Sequence, residues 1–428
     1  MKRLLMIVPF FPPLSGGGVF RPLSFVKYLE KHGWQTIVIA PRETAYWVLD
    51  ESLLREVPES CEVVRTRSFS GQAILSLLRR GGFGKKSSEV RSSRGFKLLR
   101  RIGNSLLFPD TYIGWYPFAV RTAKRLLASE PVDAIYSTSP PETSHLVGLK
   151  IHEMTGLPWV ADFRDPWINL YRFPPPTRIH RGIHEKLLAR ICARAAVVVA
   201  SRWHEELLKS KHPGIENLKR ISNGYDKAKL EDLFDIAPPT DSFQIMHAGM
   251  LSENRSAVPF LEALRMFCDR IPESRDRCRA VFLGPREDEN EATAKRLGLG
   301  GIVEFRDSVS HRETLQMERA SHILLLINPY SEIVLGKFYE YMGVCRPVLG
   351  LIPEGEGRDL IESLNRGEAA PPEDPSRIAE KIGVMYEKFL DGSLDESYNL
   401  DLLPQFEREH LAGELAAYLE TLLDRRRE

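Results

Sequence analysis

Short apolar runs alternating with amphipathic stretches constrain the fold of this chain more than any other feature. The runs "RLLMIVPF" (3–10), "QTIVIAP" (35–41), "DAIYST" (133–138), "PWVADF" (158–163) and "AAVVVAS" (195–201) are brief and rich in Val and Ile, without strict alternation. That pattern predicts parallel strands covered on both faces. Helical patterns lie between them. In 20-FRPLSFVKYLEKHG-33, Pro22 falls in the first turn, Leu23, Val26 and Leu29 share one side, and Gly33 stands at the end. Such β-α-β alternation predicts a doubly wound α/β sheet.

The pattern then restarts. After "DIAPPTD" (235–241), read as a linker, come "FQIMHAG" (243–249), "RAVFLG" (279–284), "IVEFRD" (302–307), "HILLLIN" (322–328) and "RPVLGLI" (346–352). The chain therefore reads as two successive Rossmann-like domains, 1–234 and 241–404. Its 428 residues fit that count at roughly 100–200 residues per domain. A last amphipathic helix, within 405–428, carries Leu411, Leu415, Tyr418, Leu419 and Leu422 on one side.

One segment breaks the scheme. Residues 79–101, "RRGGFGKKSSEVRSSRGFKLLRR", hold nine basic side chains and one acidic one. That is +8 locally in a chain of net charge +1, so the remainder is −7. Phe83, Phe96, Leu98 and Leu99, then Ile102, Leu106, Leu107 and Phe108, add apolar groups to this basic loop, 79–108. Basic residues interspersed with Phe and Leu suit an anionic membrane surface, with Lys85, Lys86, Arg100 and Arg101 facing it. A solvated loop is the plainer reading. Nucleic acid is the least supported partner, because the rest of the chain is acidic.

The opening "MKRLLMIVPFFPPLSGGG" imitates a secretory signal, but Pro9, Pro12 and Pro13 break its apolar run. A buried first strand ending in a glycine-rich turn fits better. No apolar run approaches the ~18 residues that span a bilayer. Five scattered cysteines without Cys-x-x-Cys spacing read as reduced thiols of a cytoplasmic protein, with no metal site.

The chemistry-bearing residues cluster after strands, where open α/β sheets bind ligands. Gly16, Gly17 and Gly18 follow the first strand and open a helix, so their N–H groups suit an anion. The spacing is not that of a dinucleotide fingerprint, and a tight turn alone is the alternative. In 161-ADFRDPW-167, Asp162, Arg164 and Asp165 stand together, either as a self-satisfied ion-pair cluster or as a polyol-binding or acid–base group. His145 in "PPETSHLVG" either faces the same crevice or merely caps a helix. In 247-HAGMLSENRS-256, Arg255 is placed to lay a guanidinium against a diphosphate. The acidic loop 284-GPREDEN-290 reads as an exposed rim.

In "PYSEIVLGKFYEYMG" (329–343), Lys337 falls in the first turn of a helix, where a cation opposes the helix dipole. A bound phosphate would justify it. Glu340, one turn on, suits the vicinal hydroxyls of a ribose, and Glu332 reaches another part of the same ligand. The plain alternative is a Lys337–Glu340 surface pair worth under ~1 kcal/mol.

Three motifs in order carry a resemblance over essentially the whole chain: the glycine turn after the first strand, 223-NGYD-226, and the Glu332-x7-Glu340 spacing. Together with "ADFRDPW", "HAGMLSENR" and "GKFYEYMG…RPVL", they resemble retaining glycosyltransferases of family 4, in a bacterial subgroup that builds surface polysaccharides. The resemblance implies the GT-B fold: two Rossmann-like domains facing each other across a cleft, acceptor side first, with the C-terminal helix returning to the N-terminal domain. It implies Gly17 and Gly18 near the donor, Arg255 and Lys337 on a nucleotide diphosphate, Glu340 on the ribose and Glu332 on the donor sugar. Glu332, Asp162, Arg164 and Asp165 are the candidate catalytic residues, with Asp162 and Asp165 as acceptor-orienting groups, and His145 falls on the acceptor side. The donor would be a UDP-sugar, the acceptor a lipid-linked glycan, and neither cofactor nor metal is expected. The chain departs from the family at Met250-Leu251, at Glu332-Ile-Val-Leu-Gly336, and at Arg164, where many members have histidine. A GT-B sugar-nucleotide epimerase and a non-catalytic sugar-nucleotide-binding protein are the rival readings.

Overall fold

A computed structural model of the protein describes residues 1–42, 49–69, 107–167, 175, 177–252, 255–396 and 402–427. The basic segment 79–106, with Lys85, Lys86, Arg100 and Arg101, lies outside the described residues. The chain divides into two compact units. Unit 1 is Met1–Ser222 with Leu411–Glu428, and unit 2 is Asn223–His410.

Unit 1 is built on a seven-stranded, wholly parallel sheet. Its strands are β1 (Lys2–Ile7), β2 (Trp34–Pro41), β3 (Glu62–Thr66), β4 (Ala134–Ser139), β5 (Trp159–Phe163), β6 (Ala196–Val199) and β7 (Leu218–Arg220). Their order is β3-β2-β1-β4-β5-β6-β7. The winding reverses between β1 and β4, which are hydrogen-bonded neighbours in the sheet, so the ligand crevice of such a sheet opens beyond their carboxyl ends. Helices α1 (Gly17–Leu29), α2 (Tyr116–Ser129), α3 (Thr143–Thr155), α4 (Arg178–Cys192) and α5 (Arg202–Lys211) complete the crossovers.

Side-chain alternation along β1 explains how both faces are covered. Leu4 and Met6 enter one core with Val19, Leu23 and Val26 of α1. Leu5 and Ile7 enter the other with Ala119 and Ala123 of α2 and Val147 and Ile151 of α3.

Unit 2 repeats the plan with six parallel strands: β8 (Phe243–Ala248), β9 (Cys278–Leu283), β10 (Val303–Arg306), β11 (Ile323–Ile327), β12 (Val348–Leu351) and β13 (Gly367–Ala370). The order β10-β9-β8-β11-β12-β13 puts its switch point between β8 and β11. Its longer helices are α6 (Val258–Arg270), α7 (Asp288–Arg296), α8 (His311–Arg319), α9 (Gly336–Val344), α10 (Glu356–Ser363) and α11 (Pro375–Leu390). The segment 235–241 lies within unit 2. So does Tyr225 of the Asn-Gly-Tyr-Asp motif, whose backbone is bonded to Phe406 and Arg408.

The last helix, α12 (Arg408–Arg427), returns to unit 1. Leu411, Leu415, Leu419 and Leu423, four residues apart, bury one stripe in the core that also holds Leu4 and Met6. Each buried leucine contributes roughly 2 kcal/mol. Among the described residues no helix is long and apolar enough to cross a membrane.

Candidate functional site

The crevice of unit 1 begins at the glycine turn. Gly16 has φ 126°, a conformation open to glycine and strained for other residues. A Cβ on Gly18 would stand 2.9 Å from the Phe10 ring and 3.0 Å from the Arg164 guanidinium, whereas a Cβ on Gly17 would meet nothing within 4 Å. Gly18 is therefore fixed by packing, and Gly17 borders open space. Arg164, just beyond β5, donates through Nε to Ser139 O at 3.1 Å, through one terminal nitrogen to Pro140 O at 2.8 Å, and through the other to Gly17 O at 3.4 Å. It ties the loops after β1 and β4 together across the switch point.

Asp162 plays a different part from a solvent-facing group. It has no exposed surface. Arg21 donates to both its oxygens, at 2.9 and 2.8 Å, and the hydroxyls of Tyr136 and Thr138 donate to Oδ2. Arg21 also donates to the carbonyls of Ile221 and Ser222. Burial pushes the Asp162 carboxyl up, but Arg21 and the Tyr136 hydroxyl outweigh it and hold the group below its ordinary value. Asp162 is thus ion-paired, but with Arg21 of α1 rather than within the 162–165 cluster, whose Arg164 goes to backbone carbonyls; Arg21 was not singled out by its sequence context.

His145 is likewise enclosed. Its Nδ1 and Nε2 each lie 2.8 Å from a hydroxyl, of Ser137 and Ser139, and its ring packs 4.3 Å from that of Phe163. Burial pulls its pKa down to about 3, so it is a neutral core histidine. Asp165 lies half-buried beyond Arg164. Nearby, Asp110 accepts from the backbone and hydroxyl of Thr143 at the start of α3. Burial and that neighbour push Glu142 up to about 8.

Unit 2 gathers more charge at its switch point. Gly249 follows β8 at φ 153° and Gly284 follows β9 at φ 128°; a Cβ on Gly284 would come 2.5 Å from Gly249 O. These glycines let two strand ends meet backbone to backbone. His247, at the end of β8, is bonded through Nδ1 to Leu325 O at 2.9 Å. A carbonyl only accepts, so Nδ1 carries the proton. Burial, with Arg255 and Lys337 nearby, lowers the ring to about 4. The backbones of Ser252 and Arg255 bond to each other at 3.2 and 2.7 Å.

The loop from β11 to α9 is stapled by Asn328, whose amide donates to Tyr330 O at 3.0 Å and Ile333 O at 2.7 Å. Glu332 sits half-buried in this loop. Lys337, in the first turn of α9, reaches back to Glu318 Oε1 at 3.2 Å and forward to Glu340 Oε1. Glu340 Oε2 lies 2.7 Å from His311 Nε2. His311 and Glu318 stand seven residues apart on α8, two turns along one face, and that face meets Lys337 and Glu340. The Lys337–Glu340 pair is thus part of a half-buried network rather than a surface pair, and the lysine is held between two glutamate side chains.

The two carboxylates differ. Burial pushes Glu318, wholly enclosed, up to about 8 against the pull of Lys337. Glu340 also pays for burial, but Lys337 and His311 overcome it and hold the group well below its ordinary value. Glu340 keeps the charge and Glu318 the proton. Burial opposes the charge of Lys337 too, and the same two glutamates raise it well above the ordinary lysine value.

The structure therefore brings Lys337 and Glu340 into contact with Arg255 in electrostatic reach of neighbouring His247, and brings Gly17, Gly18 and Arg164 together in unit 1. It keeps Asp162 and His145 inside the sheet. Sequence reasoning missed Arg21, Glu142, His247, His311 and Glu318. Only the seven-residue spacing of the last two was visible.

No family model and no curated protein matches the sequence. Solved structures do. HepE from Anabaena, in complex with UDP and glucose, is 15% identical with a TM-score of 0.64, over 98% of this chain and 100% of that one. Sucrose-phosphate synthase from Thermosynechococcus elongatus is 13% identical, TM-score 0.65, over 99% and 100%. A glycosyltransferase from Rickettsia africae is 15% identical, TM-score 0.62, over 99% and 98%. The chain has the GT-B fold. At these identities the likeness is one of fold, and it extends over both Rossmann-like units. Within that GT-B framework the residues are this chain's own.

Proposed function

We propose that this protein is a retaining glycosyltransferase of family 4 that moves a sugar from a UDP-sugar to an acceptor hydroxyl. The observation that carries the reading is the Lys337–Glu340 pair in the first turns of α9, after β11 at the switch point of unit 2. A cation, a helix N-terminus and a carboxylate within one turn suit a diphosphate joined to a ribose. The likeness to HepE, solved with UDP and with UDP-glucose, supports a nucleotide-sugar donor.

In the proposed reaction the bond from the anomeric carbon to the diphosphate oxygen breaks and its electron pair leaves with UDP. The acceptor oxygen bonds to that carbon on the same face, and its proton passes to the leaving phosphate oxygen. Charge separates in the transition state, and fixed cations at the diphosphate stabilise it. Arg255, Lys337 and the N-terminus of α9 are assigned to that task, without a metal. Glu340 holds the ribose, Glu332 the sugar, and Gly17 leaves room in the glycine turn. On the acceptor side we assign Arg164 and Asp165 to orienting the hydroxyl, with Asp162 and His145 supporting them from within the sheet.

For the acceptor we propose a lipid-linked glycan of surface polysaccharide synthesis, reached from an anionic cytoplasmic membrane surface through the basic loop. The test is incubation with UDP-sugars, with and without lipid-diphosphate glycans, followed by NMR. Acceptor-dependent UDP release with the anomeric configuration kept is expected. An epimerised nucleotide sugar, or binding without turnover, would replace the proposal with one of its rivals.

A further inference from the structure

The Glu318–Lys337–Glu340–His311 network contains a residue whose place is unexplained by charge alone. Lys337 is already held between the Glu318 carboxyl group and the Glu340 carboxylate, and α8 is already capped. Ser310 and Glu313 form a complete capping box at its start, with Ser310 Oγ accepting from Glu313 N and Glu313 Oε2 accepting from Ser310 N. His311, the first residue of α8, turns its Nε2 to Glu340 on α9.

The network also has a closed end and an open end. The Glu318 side chain is 0% exposed, whereas Glu340 is 12% and His311 17% exposed. A carboxylate offers about four lone-pair sites. Lys337 occupies one on Oε1 and His311 one on Oε2. One site is left on each oxygen, on the end that reaches solvent. Two neighbouring acceptors match two neighbouring hydroxyls.

We propose that His311 is a positioning residue for nucleotide recognition: by donating Nε2–H to Glu340 Oε2 it fixes the carboxylate so that its remaining sites meet the vicinal hydroxyls of a ribose. The proposal rests on the nucleotide-sugar reading of unit 2. A carboxylate accepts only, so Nε2 carries the hydrogen. Without that hold the carboxylate could swing about its last bond toward Lys337, and the two oxygens would no longer face the diol together.

Isothermal titration of the full chain with UDP, 2′,3′-dideoxy-UDP and pyrophosphate tests this. Wild type is expected to prefer UDP over the dideoxy compound by roughly tenfold or more, as for hydrogen bonds to a charged group. His311→Phe keeps the ring and loses the donor; its preference should fall close to unity while pyrophosphate affinity is unchanged. His311→Gln, which can still donate to Glu340, should restore most of the preference. A merely structural role would weaken all three ligands together. If the preference survives in His311→Phe, or all three affinities fall in step, the role of His311 is overturned and the ribose assignment stands. If wild type binds both nucleotides alike, the ribose assignment of Glu340 falls, and this role with it.

Discussion

The ammonium of Lys337 lies 3.2 Å from Oε1 of Glu318, a carboxyl group with no exposed side-chain surface. Burial raises that carboxyl from the ordinary glutamate range to about 8. A carboxyl raised on folding is protonated in the folded protein while the unfolded chain has already lost its proton. Its contribution is therefore fully present below pH 4.5 and declines as pH climbs toward 8. Glu340 runs the other way: its carboxyl is depressed, and its contribution is lost as pH falls. Glu318→Gln should flatten the loss of thermal stability between pH 5 and pH 8. Parallel Tm curves for wild type and variant over that range would sink the assignment.

Arg21 and Asp162 supply the corresponding prediction in unit 1. Both are buried, and the pair is bidentate. Removing one partner leaves an uncompensated charge in the sheet, which costs about 3–5 kcal/mol. Asp162→Ala should show that loss in denaturant unfolding. The double variant Arg21→Met, Asp162→Leu should recover much of it, because apolar replacement of a whole buried pair is near neutral. A single variant as stable as wild type would return Asp162 to the solvent-facing role that its position at a strand end suggested.

Asp162 also shows where the sequence ceases to be legible. Strand β5 was plain from its apolar run, and the strand end pointed to a crevice. But alternation sends Ala161 and Phe163 into one core and Val160 into the other, and Asp162 shares the face of Val160 and α1. Only the fold shows that Arg21 waits there. The central strands were readable because burial on both faces leaves an apolar run. The edge strands β3, "EVVRT", and β7, "LKR", and β13, "GEAA", were not, because a half-covered or very short strand carries no such run. In unit 2 the three-residue step from Lys337 to Glu340 was visible within one helix. Glu318 and His311 approach from another helix, and a single sequence without that packing offers no reason to join them.

Lys337 and Glu340 should separate in their effects on ligands. Lys337→Met removes a charge from the diphosphate, so UDP and pyrophosphate should both weaken, by about 1.5–3 kcal/mol for a hydrogen bond to a charged group. Glu340→Ala removes the proposed ribose contact and one of the two partners of Lys337, which keeps Glu318, so UDP should weaken clearly more than pyrophosphate. Titration calorimetry distinguishes them. A Glu340→Ala variant with full affinity for UDP would refute the site.

The basic segment gives the last prediction. Its nine cations against one anion are concentrated in 23 residues of a chain whose remainder is net negative. Each basic residue near an anionic membrane contributes about 1 kcal/mol, so neutralising Lys85, Lys86, Arg100 and Arg101 should remove on the order of 4 kcal/mol. Flotation with vesicles of phosphatidylcholine and phosphatidylglycerol should recover wild type and lose the fourfold variant, and added salt should imitate the substitutions by screening. Neutral vesicles should recover neither protein. UDP affinity should be untouched, because none of the four is among the residues assigned to the donor. Equal flotation of variant and wild type on anionic vesicles would leave the segment without a membrane role and take away the main reason for a lipid-linked acceptor.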